Sequence, residues 1–237
     1  MRFILLVLFA GCAYAEEVTK VVDVHYSNRE RLDNLVQSRT VNIKIDPSGK
    51  FVVLQGQKVE VEGIEDLIKK IDVPPLNIEF TFELISGSKT AGKVSDFPAG
   101  LNGVAKEMKN LFGFQTMMLV DTLTIRSQEG KDSNANGPFP SPTADLNAPK
   151  GNYQIEIKQA VANGIKGSRL VRIGSLRFNG KIPFVYGPGG NNQYSMSDMG
   201  ISTGLDVREG QRVVVGKVGM DSSSNPFFLV VSCKVVE

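Results

Sequence analysis

The chain has 237 residues, and its 27 lysine and arginine residues nearly balance its 25 aspartate and glutamate residues. No run of like charges occurs, so the sequence gives no support to a nucleic acid or an anionic membrane surface as partner. The single histidine excludes a metal site built from two histidines. The length is sufficient for two small domains, and the absence of tryptophan with a good supply of valine, glycine and phenylalanine favours strands.

The N-terminus predicts export. Met1-Arg2 precedes an apolar run, and Ala13-Tyr14-Ala15 is an A-x-A cleavage site, so residues 1–15 are predicted to be a signal peptide. The apolar run is much shorter than the about 20 residues of a membrane-spanning helix. A competing route starts from 8–12, Leu-Phe-Ala-Gly-Cys, which resembles a bacterial lipobox and would make a lipidated Cys12 the first mature residue. Both routes predict a periplasmic or outer-membrane-associated protein, attached to the membrane only if Cys12 is lipidated.

The cysteine count argues against a disulfide. Cleavage after Ala15 removes Cys12 and leaves Cys233, so no intrachain disulfide can form in that product. Cys233 alternates in phase with Leu229 and Val231 on a predicted strand. This pattern indicates a small buried side chain rather than a catalytic thiol.

Residues 16–75 are predicted to form a small domain in the order strand, helix, two strands, helix. Ser27 and Glu30 form a capping box at the start of the first helix. A strand with one buried face follows, with alternating Val41, Ile43 and Ile45. A turn then leads into a strand at Phe51–Gln55. The second helix, which Pro74-Pro75 ends, has an apolar stripe of Val61, Ile64, Leu67, Ile68 and Ile71.

Residues 76–237 are predicted to form a mostly antiparallel β domain with one packed helix. A long alternating strand, Asn77–Ile85, opens it. Helical spacing then joins Leu101, Val104, Ala105, Met108, Leu111 and Phe112. Gly113 ends this helix before a strand at Phe114–Ser127. The proline-rich segment 129–150 is predicted to be a loop, and Asn163-Gly164 and Asn179-Gly180 are predicted hairpin turns. The chain as a whole is placed in the α+β class.

No arrangement of residues in the sequence predicts catalysis, so we predict a protein that is not an enzyme. The motifs H-E-x-x-H and C-x-x-C do not occur, and His25 is more simply a structural residue. We assign no catalytic, cofactor-binding or metal-binding residue and expect no cofactor.

Four weaker motifs have structural explanations. The loop 187–192 is glycine-rich but lacks the Gly-Lys-Ser/Thr of a phosphate loop, and 100–103 has the G-x-x-G spacing of an RNA-clamping loop without its charge. The segment 132–137 matches the first half of a calcium loop, but Thr143 stands where glutamate is required. The acids Glu60, Glu62, Glu65 and Asp66 lie near a helix start, where they favour the helix dipole.

The element order of 19–86 resembles the small periplasmic ring-forming domains of secretins. Secretins are the outer-membrane channel proteins of type II and type III secretion and of type IV pili. In that family the helix ends in a hydrophobic–Asp–x–Pro phrase that enters the next domain's first strand, and Ile71–Pro75 matches this phrase. A later segment, Gly200–Gly216, is similar to the last part of the secretin channel domain. The residues between the two segments do not resemble the family clearly.

The resemblance implies an exported, non-catalytic, secretin-like structural or interaction protein. A secretin channel needs many long strands closed into a membrane barrel and a lip that enters the bilayer, and one chain of this length has room for neither. An accessory of a secretion or pilus machine is therefore expected, with envelope proteins or copies of itself as partners. The alternative is a periplasmic binding protein for a peptide, glycan or lipid, with its site formed by the proline-rich loop, the 187–192 loop, Tyr186 and Tyr194.

Overall fold

The structure, a computed structural model, describes residues 16–91, 97–139, 149–186, 193–218 and 226–236. The predicted signal peptide and Cys12 lie outside these residues. Contacts divide the chain into two compact units, the first ending at Pro74 and the second beginning at Pro75. In the described part of the chain, no helix has the length and apolar character needed to cross a membrane.

The first unit is a three-stranded antiparallel sheet with two helices packed on one face. Its elements are β1 (Glu17–Asp23), α1 (Arg29–Leu35), β2 (Asn42–Ile45), β3 (Phe51–Gln57) and α2 (Lys58–Ile71). The strand order is β1-β3-β2, which makes β3 the central strand. The predicted element order is confirmed.

Alternation along the strands and helical spacing along α2 build the core of the first unit. Val52 and Leu54 of β3 are fully buried against Val61 and Ile68 of α2. Leu67 was predicted to belong to the same apolar stripe, but its side chain is 40% exposed. It lies at the border of the stripe, because a helix rotates by about 100° per residue and Ile68 takes the central position.

Helix α1 begins one residue later than the predicted capping box requires. Asn28 is the N-cap, and its Oδ1 accepts a hydrogen bond from the Arg31 backbone N–H at 2.8 Å. The Ser27 hydroxyl instead donates to the carbonyl oxygen of Ile71, 3.1 Å away at the end of α2. The Ser27–Glu30 box is therefore wrong, because a tertiary acceptor competes successfully for the serine hydroxyl.

The second unit contains two four-stranded antiparallel sheets. Its elements are β4 (Asn77–Ser88), a 3-10 turn (Ala99–Leu101), α3 (Asn102–Phe112), β5 (Thr116–Gln128), β6 (Ser133–Phe139), β7 (Gly151–Asn163), β8 (Leu170–Tyr186), β9 (Gln193–Arg208), β10 (Arg212–Val218) and β11 (Phe227–Val236). Sheet I has the order β10-β11-β4-β5, and sheet II has the order β6-β7-β8-β9.

The two sheets pack face to face, and α3 covers the other face of sheet I. One core lies between the sheets and includes Phe80 and Phe82 of β4 and Phe178 of β8. A second core joins Met108 of α3 to Phe228 of β11. Because successive strand residues point to opposite faces, β4 and β11 supply both cores. The predicted α+β class, with one helix packed on a mostly antiparallel domain, is confirmed.

Two predictions within sheet II are wrong. The proline-rich segment 129–150 is not a continuous loop, because β6 occupies Ser133–Phe139 and pairs with β7. Pro138 is tolerated there because β6 is an edge strand, where a missing N–H need not break a ladder bond. Residues 140–148 of the segment lie outside the described residues. Asn179-Gly180 lies within β8 rather than in a turn, whereas Asn163-Gly164 does end β7, with Gly164 at φ +104°.

Candidate interaction surfaces

The residues first considered for metal or acid–base chemistry take structural roles. The segment 132–137 runs into β6, where the extended backbone spaces Asn134 and Asn136 about 7 Å apart, so these candidate ligands cannot converge on one calcium ion. Glu65 forms ion pairs with Lys20 and Lys69, and these hydrogen bonds hold the pKa of its carboxyl below the usual value. Among the described residues, no three His, Cys, Asp or Glu side chains are grouped to hold a metal ion.

Cys233 is a buried thiol in the core between the sheets. Its side chain is 3% exposed, and Sγ lies 3.6 Å from the carbonyl oxygen of Val207. Burial first, and the nearby Glu209 carboxylate second, raise the pKa of the thiol to about 12. Because the thiolate is the reactive form, this environment makes Cys233 inert, as the alternating pattern predicted.

We expect Cys233 to resist thiol reagents in the folded protein. In a Cys12→Ser variant, which leaves one thiol to count, Ellman's reagent should release almost no chromophore at pH 8 in buffer. It should release one equivalent in denaturant, because unfolding exposes the thiol and returns its pKa toward the ordinary value. Rapid reaction of the native variant would contradict the buried position of Cys233.

In the hydrophobic–Asp–x–Pro motif, Asp72 links the end of α2 to the segment that precedes α1 in the first unit. Its carboxylate accepts three backbone hydrogen bonds, from His25 at 2.8 Å, Tyr26 at 2.7 Å and Ser27 at 2.8 Å. Burial alone would raise the pKa of the Asp72 carboxyl, but the three N–H donors outweigh it and lower the pKa below its usual value. Asp72 therefore fastens the segment before α1 to the end of α2.

The Gly200–Gly216 segment contains the turn that joins the two sheets. Gly210 has φ +78°, a conformation that favours glycine, and its N–H donates to the carbonyl oxygen of Cys233 at 3.0 Å. Glu209 Oε1 accepts a hydrogen bond from the Val235 backbone N–H at 3.1 Å. The turn thus ties the end of β9 to β11.

Arg212, the first residue of β10, makes an ion pair with Glu83 of β4, in which Glu83 is buried and the Arg212 side chain is 27% exposed. Its Nε lies 3.2 Å from Oε1 and 3.3 Å from Oε2 of Glu83, which is 2% exposed. Gly100, in the 3-10 turn before α3, lies directly over this guanidinium, and a Cβ at Gly100 would be 2.0 Å from Arg212 Nη1. A side chain at Gly100 would therefore require the turn or the Arg212 side chain to shift, whereas a Cβ at Gly103 would meet open space.

Open sheet edges are the first type of candidate contact surface. Within the described residues, sheet I has β10 and β5 as its outer strands, and sheet II has β6 and β9. Strand β4 has no free edge, because it pairs with β11 on one side and with β5 on the other. Contacts through main-chain groups are thus available at the four outer strands rather than at β4.

Exposed apolar side chains on the first unit are the second type. Val59 and Leu67 of α2 are 80% and 40% exposed. Val21 of β1 and Phe51 of β3, on the sheet face that the helices leave uncovered, are 60% and 38% exposed. The first unit thus presents apolar side chains on two opposite faces.

The fold, but not the sequence, matches known proteins. No family model and no curated protein matches the sequence. The type II secretin GspD of enteropathogenic Escherichia coli superposes with a TM-score of 0.53 at 11% identity, over 92% of this chain and 87% of that chain. The Vibrio cholerae type IV competence pilus secretin PilQ gives 0.52 at 9% identity, over 93% and 77%. The type II secretion system secretin GspD of E. coli K12 gives 0.51 at 13% identity, over 92% and 63%.

The chain therefore has the secretin fold. The resemblance read from 19–86 and from Gly200–Gly216 is confirmed at the level of fold, and the likeness also covers most of the segment between them. That segment carries no clear sequence signal of the family, because alternating strands of this kind occur in many antiparallel folds.

Proposed function

We propose that this protein is an exported, non-catalytic structural subunit of a secretion or pilus machine of the bacterial envelope. The secretin fold of the chain is the observation that carries the proposal. Its partners are copies of itself or other envelope proteins, and its location is the periplasm or the outer membrane. The protein acts by assembly rather than by chemistry.

Assembly uses the outer strands of the second unit. An outer strand exposes unpaired N–H and C=O groups, which pair readily with a strand of another chain. If β5 of one copy pairs with β10 of the next, the contact is heterologous, and repeated heterologous contacts produce a ring or a filament. In the first unit, Val59 and Leu67 of one copy against Val21 and Phe51 of the next would give a contact of the same kind.

The role expected from the sequence is that of an accessory. The length of the chain limits a pore built by one chain, but it does not limit an assembly in which strands of several copies combine. We retain the accessory role as part of the proposal, and conductance of the purified assembly in a planar lipid bilayer tests it. Stable channels formed by the protein alone would replace the accessory role with that of a channel subunit.

The main test is the size of the particle by light scattering. The wild-type protein should form an assembly of many copies, or should join one when mixed with solubilised envelope extract whose captured proteins are identified by mass. Adding charge to the edges, as Met118→Lys on β5 and Val214→Lys on β10, should reduce the assembly to monomers. Both side chains are partly exposed, so the fold should survive.

A matched control separates edge pairing from a general effect of charge. Ile165→Lys adds the same charge at a side chain that is 78% exposed in the β7–β8 turn, away from every edge. This variant should assemble like the wild type. A wild-type monomer that captures neither secretin nor pilus components would contradict the proposed function. That result would favour the alternative function, ligand binding.

The alternative function, a periplasmic binding protein, was based on two loops and two tyrosines. Residues 140–148 and 187–192 lie outside the described residues, as do the side chains of Tyr186 and Tyr194. Among the described residues, a depression on the exposed face of sheet II offers a different place where a ligand could bind.

A further inference from the structure

We propose that the exposed face of sheet II carries a binding site for a linear glycan of N-acetylated sugars. The site centres on three exposed carboxamide side chains, Asn136 on β6, Gln154 on β7 and Asn179 on β8, which form the amide belt. The strand registers place Asn136 opposite Gln154 and Gln154 opposite Asn179. The belt therefore crosses three neighbouring strands rather than following one of them.

The amide belt lies in a depression of about 640 Å³. Its lining includes the belt together with Asn152, Lys181 and Asp198. On β9, Gly200 stands opposite Asn179 and has no side chain, and a Cβ at Gly200 would lie 3.0 Å from Asn179 Oδ1. The belt is therefore open at its β9 end, where a chain-like ligand can continue across the sheet.

The belt has hydrogen-bonding capacity that the described part of the protein does not use. None of the three carboxamides makes a side-chain hydrogen bond to another described residue. Each carboxamide offers two N–H donors and a carbonyl acceptor. Sugar hydroxyls and acetamido groups need both kinds of partner, and an acetamido group can pair with a carboxamide through both its N–H and its C=O. Sheet faces already bind oligosaccharides in other β folds.

The charges beside the belt favour a neutral ligand. Lys181 Nζ lies 3.8 Å from Asp198 Oδ1, and Arg177 Nη1 lies 3.5 Å from Glu156 Oε2, so the flanking charges compensate one another. A phosphate-rich ligand would need cations without anionic partners, and a lipid or apolar peptide would need an apolar lining. A peptide added as a strand would need an edge, whereas β7 and β8 are interior strands.

Calorimetric titration of the full-length protein tests the site. The probe is a hexamer of N-acetylglucosamine, and the comparison ligand is a hexamer of glucose with the same linkage, which lacks the acetamido groups. The test variant is Gln154→Ala combined with Asn179→Ala. The control variant is Asn42→Ala combined with Gln55→Ala, because these two exposed amides face each other in the same way between β2 and β3 of the first unit.

The wild type should bind the N-acetylated hexamer more tightly than the glucose hexamer. Loss of two belt carboxamides should weaken that binding about tenfold, and the control should leave it unchanged. Absence of binding by the wild type, or an equal loss in the control, would overturn the proposal. So would a belt variant that changes particle size but not glycan affinity, because the belt would then be a contact between copies. Particle size is measured separately. A failed glycan titration therefore rejects the glycan site only, and the light-scattering test decides the proposed assembly function.

Discussion

Replacement of Arg212 with methionine is expected to lower the free energy of unfolding of the second unit by about 3–5 kcal/mol. Glu83 is 2% exposed and lies 3.2 Å from the Arg212 guanidinium. Without the arginine, the Glu83 charge stays buried, and its desolvation is no longer offset. Urea unfolding followed by circular dichroism measures the loss.

Two further variants test the cause. Glu83→Leu combined with Arg212→Met should recover most of the stability, because an apolar pair leaves no uncompensated charge in the core. Arg172→Met removes an ion pair with Asp206 whose side chains are 67% and 41% exposed, and unfolding should not change measurably. A similar loss in Arg172→Met and Arg212→Met would show that burial of the Glu83 pair is not the reason.

Replacement of Asp72 with alanine is expected to destabilise the first unit by about 2–3 kcal/mol. The Asp72 side chain is 7% exposed, and it accepts the backbone N–H groups of His25, Tyr26 and Ser27. Alanine leaves these donors without their acceptor, so the segment before α1 should come free of α2. Amide hydrogen exchange should show faster exchange at residues 25–27, and urea unfolding gives the free energy.

The same carboxylate makes the stability of the first unit depend on pH. The pKa of Asp72 is lower in the folded protein than its ordinary value of 3.8, so its contribution is complete above that value. The contribution is lost as the pH falls through the lowered pKa of the folded state. The difference in stability between wild type and Asp72→Asn should therefore be constant near pH 7 and should shrink below about pH 4.

Asp33→Asn is the matched control for this pH dependence. Asp33 pairs with Arg29 on the surface of α1, and its side chain is 53% exposed. The variant should follow the wild type across the whole pH range. A wild-type advantage over Asp72→Asn that persists unchanged at pH 2 would contradict the role of the Asp72 charge.

Local periodicity allowed most elements to be predicted, but not the partners of their polar side chains. The strand at Asn77–Ile85 and the helix ending at Gly113 follow from alternation and from helical spacing, which depend on near neighbours. Asn179-Gly180 has the composition of a turn and yet lies within β8, because pairing on both sides with β7 and β9 overrides local propensity. The prolines of segment 129–150 predicted a loop, but β6 is an edge strand, and an edge strand tolerates proline.

Motifs of contiguous residues could be predicted from the sequence, whereas sites that join distant residues could not. The Asp72 phrase was recognisable because its residues are contiguous, whereas the amide belt joins Asn136, Gln154 and Asn179 from three strands. Nothing in the spacing of these three amides along the chain indicates that they meet. They meet because the registers of β6, β7 and β8 place them in one row.

The sequence by itself determined the two α+β units, the buried Cys233 and the resemblance to secretins, because each depends on short-range patterns of apolar residues or on a contiguous phrase. The tertiary structure alone decided which strands are outer strands, that Gly100 packs against the Arg212 guanidinium, and which charge Arg212 neutralises. Arg212 and Glu83 are 129 residues apart along the chain. Pairing over such a separation depends on strand order and register, which the packing of the whole unit selects.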